Sequence, residues 1–308
     1  MPEHQRYLPE GLGAPAPRSL CALREAAGGD AVFEAAPRRC GADHTLYFSL
    51  GGVAAQMPRA EAVAPWISGA GREIAVLSRV GKPTCFTVLA LRSDAKGAPL
   101  ALLSRRAAQE LAMADLAGRL RPGTVLTGRI TRLESFGAFV DVGCGIAALL
   151  PLERISVSRI AHPAQRFRVG QKIRAAVLSW DPERRRITLT HRELLGTWME
   201  NASRFRPGET VEGAVRSVQP YGAFIELAPN LSGLAENRGN LAAGDGVSVY
   251  IKSIRPEGMK IKLQVVERLP PPGEPTPLTY QITGGQLERW TYSPPGCSKT
   301  VETVFTVP

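Results

Sequence analysis

A short aromatic motif occurs twice in this sequence at a fixed distance. Residues 136–140 read Phe-Gly-Ala-Phe-Val, and 85 positions later residues 221–225 read Tyr-Gly-Ala-Phe-Ile. Each copy follows a Pro-Gly pair and a strand-like segment at the same offset, starting at Pro122 and at Pro207. A fixed spacing of this size is typical of one small domain that is used more than once. The chain is therefore predicted to hold tandem copies of a single closed unit.

A third, degenerate copy lies nearer the N-terminus, where residues 52–58 align with 145–151 and residues 103–106 align with 189–192. The three copies and the segments around them divide the chain into seven parts. These parts are an N-terminal extension with a short helix (1–28), a degenerate repeat (29–107), a helical linker (108–120), a second repeat (121–194), a second helical linker (195–206), a third repeat (207–267), and a Pro-rich break with a C-terminal hairpin tail (268–308).

The two ends of the chain carry their own local signals. Ser19 is a candidate N-cap and Gly28-Gly29 is a signal that ends a helix, so a helix is predicted over 20–27. The extension is either a loosely docked segment or a partner-binding helix. In the tail, a stiff Pro-Pro-Pro break at 270–272 precedes two strand-like segments around Gly284-Gly285, which predict a hairpin.

The second repeat alternates apolar and polar residues with the period of a half-buried strand. Five such segments are separated by turns, and they are 125–133, 136–142, 146–150, 172–180 and 186–190. Five short strands in so short a segment predict a small barrel, because closure removes exposed sheet edges. The predicted fold class is all-β, with tandem five-stranded barrels joined by short α-helical linkers.

The aromatic motif suggests a binding surface. On strict alternation Phe136 and Phe139 face opposite sides of their strand, but a bulge at Gly137 turns Phe136 outward beside Phe139. Two exposed rings on one sheet face form a stacking platform for unpaired bases. The alternative is that both rings belong to the core. The second copy, with Tyr221 and Phe224, favours the platform, because Tyr is easier to place at a wet surface than in a small core.

The charge of the chain is concentrated in its middle. The formal net charge of +10 favours polyanionic partners, nucleic acid first and an anionic membrane second. Residues 122–194 hold twelve Arg or Lys and six Asp or Glu, whereas 207–267 hold six and seven. The basic residues at outward strand positions either follow a phosphate backbone or form a solvated face. They are Arg129, Lys172, Arg174 and Arg186.

Other functional classes have no support in the sequence. No apolar run approaches the roughly 18 residues of a membrane span, and residues 1–4 lack the layout of a signal peptide. We therefore expect a cytoplasmic protein without a membrane partner. The five cysteines form no Cys-x-x-Cys pair, and the histidines are dispersed. With no phosphate-binding loop or nucleophile motif either, we expect no catalytic residues, metal or cofactor, and no enzyme activity.

Four stretches together resemble the RNA-binding OB-fold module named after small-subunit ribosomal protein one, the S1 domain. They are Gly128-x-Ile130, the motif at 136–140, Gly170-Gln171-Lys172 and the segment 181–189. The resemblance covers residues 29–267 as three modules, strong in the second, good in the third and weak in the first. It implies that the barrels are OB folds.

In that family, two aromatics, a polar residue after strand three, and an Asp and an Arg of the turn between strands four and five line the RNA face. The resemblance implies these roles for Phe136, Phe139, Asp181 and Arg186 in the second module and for Tyr221, Phe224 and Lys260 in the third. Pro151 and Glu236 replace the polar residue, which is often His. The first module offers His44 and Tyr47, so it is expected to bind either RNA or a protein surface.

The resemblance implies a short-form, three-repeat relative of the bacterial ribosomal protein that gives the family its name. Such a protein binds single-stranded mRNA and acts in translation at the small ribosomal subunit. Two alternatives remain open at this point. The chain could be an RNA-binding regulator that works without the ribosome, or an accessory protein that brings RNA to a separate nuclease.

Overall fold

The structure is a computed structural model that describes residues 5–67, 71–236, 241–271, 273, 275 and 277–306. Two sequence predictions fall outside the described residues: residues 1–4, which lack a signal-peptide layout, and Pro272, the last residue of the Pro-Pro-Pro break. In chain order the elements are α1 (Leu20–Ala26), β1 (Phe33–Ala35), β2 (Arg39–Cys40), β3 (Leu46–Leu50), β4 (Val53–Met57), α2 (Arg59–Ala62), α3 (Ile74–Leu77), β5 (Thr84–Ser93), β6 (Pro99–Ser104), α4 (Arg105–Arg119), β7 (Val125–Glu134), β8 (Gly137–Asp141), β9 (Ala147–Pro151), β10 (Lys172–Asp181), β11 (Arg186–Thr190), α5 (Trp198–Ala202), β12 (Thr210–Gln219), β13 (Gly222–Ala228), β14 (Leu231–Ala235), β15 (Gly246–Arg255), β16 (Lys260–Leu269), β17 (Arg289–Thr291) and β18 (Glu302–Val304).

The second and third repeats each form a closed five-stranded barrel, as predicted. The strand orders are β10-β11-β9-β8-β7 and β12-β13-β14-β16-β15. All neighbours pair antiparallel except β9 with β11 and β14 with β16, which run parallel. Alternate residues of β7, among them Leu126 and Ile130, point into the barrel and are buried. The alternation in the sequence therefore corresponds to the inside and outside of the barrel wall.

The first repeat differs from the expected closed barrel. Its strands form an open six-stranded sheet in the order β1-β5-β6-β4-β3-β2. The parallel contact of β4 with β6 matches the one between β9 and β11. The edge strands β1 and β2 are three and two residues long and do not pair with each other. Edges this short offer too few backbone groups to close a wall.

Helical segments occur near both predicted linkers. The helix α4 begins after Ser104, whose Oγ accepts the N–H of Ala107. Its apolar side packs into the core of the second barrel, so it is part of that barrel's packing. Further along, Thr197 and Glu200 form a capping box at the start of α5.

The N-terminal extension is tightly docked, which corrects the expectation of a loose segment. The helix α1 begins after Ser19 and ends at Ala26, close to the predicted bounds. Upstream of it, Glu10 is 7% exposed and its carboxylate lies 2.6 Å from both Arg105 Nε and Arg79 Nη1. A carboxylate this buried requires such partners. The N–H of Glu10 also donates to Asp141 of the second barrel at 2.7 Å, so these contacts fix the extension between the first repeat and the second barrel.

The predicted hairpin around Gly284-Gly285 is wrong. The tail contains a two-stranded sheet, but it is formed by β17 and β18, with Trp290 opposite Thr303. Residues 278–287 instead lie along the second barrel, where Tyr280, Ile282 and Leu287 pack near Leu194. The N–H of Gln281 donates to the Leu194 carbonyl oxygen at 2.8 Å. The predicted strands on either side of Gly284-Gly285 therefore do not pair with each other, because residues 278–287 pack on the second barrel instead.

A chain of hydrogen bonds holds this tail. The hydroxyl of Tyr280 accepts the N–H of Arg174 at 3.1 Å and lies 3.1 Å from His191 Nε2. His191 Nδ1 lies 2.8 Å from the carbonyl oxygen of Ile155. Because a carbonyl only accepts, Nδ1 carries a proton. Burial lowers the pKa of His191 to about 4, so the imidazole is neutral at pH 7 and its Nε2 accepts the Tyr280 hydroxyl.

We predict that acid loosens this arrangement. A histidine with a pKa near 4 in the folded chain and about 6.5 when unfolded stabilises the fold fully above pH 6.5 and loses that effect as the pH falls toward 4. The free energy of unfolding should drop by about 2 kcal/mol between pH 7.5 and pH 5. Urea titrations of the wild type and His191→Gln measure this. An equal drop in both proteins would contradict the assignment.

Candidate nucleic-acid interface

The aromatic pair of the second barrel lies at the surface. Phe136 sits in the turn between β7 and β8 and is 55% exposed, and Phe139 is half-buried on the outer face of β8. Their ring centroids are 6.1 Å apart and the rings are perpendicular. The predicted bulge at Gly137 is wrong, because Gly137 pairs with Glu134 in regular register. The turn itself places Phe136 outward.

Gly137 has a different role from the predicted one. A Cβ at this position would come within 2.4 Å of the Leu150 carbonyl oxygen, and at Gly222 within 2.5 Å of the Ala235 carbonyl oxygen. The missing side chain allows the third strand of each barrel to approach this closely. The glycine of the motif is thus required by the same strand pairing that supports the aromatic face.

The third barrel repeats the aromatic geometry. Tyr221 is 67% exposed and Phe224 is half-buried on the outer face of β13. The ring centroids are 6.3 Å apart at an angle of 89°. Two barrels of different sequence thus hold two rings in the same perpendicular arrangement outside the core. The geometry favours the platform interpretation over the core interpretation.

An arginine that the sequence analysis missed lies against this platform. Arg132 pairs with Phe139 across β7 and β8, and its guanidinium carbon is 4.7 Å from the ring centroid. Its side chain is 64% exposed and forms a surface ion pair with Glu134 at 2.9 Å. An exposed pair of this kind is weak, so the guanidinium can exchange Glu134 for a phosphate. Strict alternation placed Arg132 inside with Ile130, but the strand register shifts between these two residues. The bulge at Thr131 turns Arg132 outward, and no local sequence signal marked it.

The row of paired residues continues around the barrel. Phe139 is opposite Leu149, and Leu149 is opposite Thr188. Paired residues share a face, and residues two positions apart in one strand also share it. Arg186 therefore lies one step along the same face from Thr188, and it is exposed. The structure brings Phe139, Arg132 and Arg186 onto one surface.

Asp181 and its turn have a more structural role. Asp181 pairs with Arg186, and its carboxylate accepts the N–H of Arg184 at 3.0 Å. Arg185 adopts a left-handed φ of 50°, and its guanidinium lies 5.0 Å from the ring centroid of Trp66. The turn is thus tied to the first repeat, and Asp181 shapes it.

Three predicted basic residues are separated from the platform. Arg129 pairs with Lys172, but its guanidinium donates to the carbonyl oxygens of Glu10 at 2.6 Å and Gly170 at 3.0 Å. Arg174 is half-buried on the strand that the tail covers. Only Lys172 of the three is exposed. Alternation predicted their outward direction correctly but gave no sign of the extension and tail that pack above them.

The third barrel has a corresponding row. Ser217 is opposite Phe224, which is opposite Leu234, and Leu234 is opposite Lys262. Lys262 is exposed in this row and was not predicted. Lys260 is also exposed and pairs with Arg255 beside the turn. The third barrel thus carries two lysines close to its aromatic pair along β16.

The first sheet has one related feature. Tyr47 is half-buried on β3, and the Arg39 guanidinium stacks 3.7 Å from its ring centroid. His44 lies in the preceding turn with a left-handed φ of 61°. Whether this surface binds RNA or protein stays a prediction.

Other kinds of site find no support in the described ranges. Within them, no group of three or more His, Cys, Asp or Glu residues could hold a metal ion. No helix in the part of the chain that the structure describes is long and apolar enough to cross a membrane. All five cysteines are free thiols.

We predict that the platform rings contribute little to stability. Phe139→Ala removes a partly exposed ring and should cost well under the about 3–5 kcal/mol expected for a core phenylalanine. Phe167, which is 1% exposed in the same barrel, is the matched core control. Urea unfolding of both alanine variants tests this. Equal losses of stability in the two variants would show that Phe139 is a core residue and would contradict the platform interpretation.

Comparison with known proteins confirms the resemblance to the S1 family. Residues 119–192 match the S1 RNA binding domain. The chain is 36% identical over 180 residues to the small ribosomal subunit protein bS1 of Leuconostoc lactis, covering 53% of this chain and 42% of that protein. It is 37% identical over 138 residues to the bS1 homolog of Bacillus subtilis, covering 43% of this chain and 36% of the homolog. The chain thus spans less than half the length of these relatives.

Among solved structures, the chain is similar to a multidomain protein with nucleic acid binding domains from Streptococcus pneumoniae. The two share 13% identity with a TM-score of 0.26, over 77% of this chain and 74% of that one.

Proposed function

We propose that this chain, an S1-type protein similar to small ribosomal subunit protein bS1, binds single-stranded RNA and in particular mRNA. The observation that carries the proposal is the repeated pair of perpendicular rings on the outer faces of the second and third barrels. Exposed rings of this kind stack on unpaired bases, and they accept any base because every base has a π-face.

Charge next to the rings supplies the second part of the interaction. Arg132 and Arg186 lie on the face of Phe139. Lys262 lies in the row of paired residues that contains Phe224, and Lys260 lies two positions before it on β16, which β14 separates from the strand of Phe224. Their side chains can neutralise the phosphates on either side of a stacked base, and this contact does not depend on sequence. The platform then provides a fixed position for the strand, and the cations provide affinity that falls with salt.

The RNA is expected to be single-stranded. In a duplex the bases are already stacked on each other, and the deep major groove excludes side chains. A ring that stands out from a barrel has no base to contact there. The proposed activity is binding without a chemical step, and the proposed role is that of a non-enzymatic RNA-binding protein.

We place this activity in translation, at the small ribosomal subunit in the cytoplasm. The support is the 30–37% identity to proteins named small ribosomal subunit protein bS1 over about half of this chain. Fractionation of a native cell extract on a sucrose gradient tests this role. We expect the protein with small subunits. A protein found only with free RNA, or only with a nuclease, would contradict the ribosomal role and leave the RNA-binding proposal intact.

We predict that stacking and charge can be separated by their salt dependence. Phe139→Ala should weaken binding of a single-stranded oligouridine by about 1–3 kcal/mol at every salt concentration. The separate variant Arg132→Gln should weaken binding and should also make the slope of log K against log salt shallower by about 0.7, the value for one phosphate contact on a single strand. Fluorescence anisotropy at three salt concentrations measures both.

Arg129→Gln is the matched control for Arg132→Gln. The two arginines lie three positions apart on one strand, but the Arg129 guanidinium is bound to backbone carbonyls. The Arg129→Gln variant should therefore have the same slope of log K against log salt as the wild type. Equal effects of the two substitutions, or tighter binding of a duplex than of the single strand, would contradict the proposal.

A further inference from the structure

A groove opens beside Phe224 where three parts of the chain meet. Its volume is about 380 Å³. One wall comes from the third barrel, with Phe224, Ser217 and Met259. Residues 157–159 of the second barrel supply another wall, and Lys299 and Val301 of the tail supply the third. The groove therefore exists only in the assembled chain.

The chemistry of the groove fits one nucleotide. Phe224, Met259 and Val301 supply apolar surface, and the hydroxyls of Ser217 and Ser232 supply hydrogen-bonding groups. Arg159 and Lys299 are exposed at the groove and provide two cations. The volume lies at the low end of the about 300–1,000 Å³ of ligand pockets. A base with its flanking phosphates matches this combination of a ring face, hydroxyls and cations.

The two cations come from outside the third repeat. Residues 207–267 hold six basic and seven acidic residues, so Lys260 and Lys262 belong to a repeat that has no net positive charge. Arg159 belongs to the connection between β9 and β10, and Lys299 belongs to the tail. Folding thus adds two cations from elsewhere in the chain to the lysines that this repeat supplies.

Polar contacts, most of them partly buried, hold these parts in place. Asn230 accepts the N–H of Val157 at 2.9 Å, and its backbone oxygen accepts the hydroxyl of Tyr292. Ser232 donates to Ser158 at 3.0 Å. In the tail, Ser293 donates to the carbonyl oxygen of Lys299 at 2.7 Å and accepts the N–H of Val301 at 2.8 Å. The walls of the groove are therefore preformed, which limits the ordering cost of binding.

The floor of the groove is positively charged. Arg216, which lines it, is paired through both Nε and Nη2 with the buried carboxylate of Glu226 at 3.0 Å. Arg166 binds the same carboxylate from the second barrel. Two guanidiniums share one carboxylate, so this cluster has a net charge of +1. In a poorly solvated wall, that charge favours an anionic occupant.

We infer that this groove is a composite binding site for one nucleotide of a single-stranded RNA. The base stacks on Phe224, and the adjoining phosphates contact Arg159 and Lys299. This inference rests on the proposed RNA-binding function and extends it. The tail is then part of the RNA site, and the strand passes over the junction of the second and third barrels.

The test uses the full-length chain and a fluorescent 12-nucleotide oligouridine. Arg159→Gln and Lys299→Gln remove the cations, and Arg24→Gln on the exposed side of α1 is the matched charge control. Ser217→Leu narrows the groove without changing its charge. Anisotropy titrations at three salt concentrations give affinity and slope, and thermal melts confirm that each variant folds.

We expect the double cation variant to bind about 5- to 20-fold more weakly in low salt, with a slope shallower by about 1.4 for two lost phosphate contacts. Ser217→Leu should weaken binding several-fold with an unchanged slope, and Arg24→Gln should bind like the wild type. Wild-type affinity in both the double variant and Ser217→Leu would overturn the inference about the groove, but it would leave the proposed RNA-binding function intact. A wild-type chain that does not bind oligouridine would overturn the proposed function as well.

Discussion

The arrangement of the second and third barrels depends on one buried carboxylate. The side chain of Glu226, on β13, is 2% exposed and binds Arg216 of its own barrel and Arg166 of the second barrel. Arg166 is fully buried, and burial lowers its pKa despite the opposing effect of the Glu226 carboxylate. Removing one partner of such a pair leaves an uncompensated buried charge and costs about 3–5 kcal/mol. The two barrels are thus held in one relative position, and Phe224 faces residues of the second barrel as a result.

The barrel walls could be predicted because their signals are local. Alternation placed Leu126 and Ile130 inward, and turn residues separated the five strands of the second repeat. The repeat of the motif at 85 positions carried the prediction to the third barrel. It also paired Phe136 with Phe139 and Tyr221 with Phe224, and the structure places both pairs on outer faces.

The rest of the site depends on contacts between distant residues, which alternation does not encode. Arg129 points outward as predicted, but Glu10 of the extension covers it. Arg132 was not identified, because the bulge between Ile130 and Arg132 reverses the direction of the side chains that follow it. Arg159 and Lys299 reach the third barrel only through the packing of the connection and the tail. A charge count by repeat therefore does not show which cations the folded chain brings to the third barrel.

Stacking of the outward rings on unpaired bases can be detected by photo-crosslinking. An oligouridine in which single positions carry 5-iodouridine, irradiated on the full-length chain, forms bonds to aromatic side chains that stack on it. Mass spectrometry then identifies the crosslinked residues. We expect crosslinks at Phe136, Phe139, Tyr221 and Phe224. Crosslinks confined to other residues, such as Tyr47 of the first sheet, would contradict the stacking of these rings.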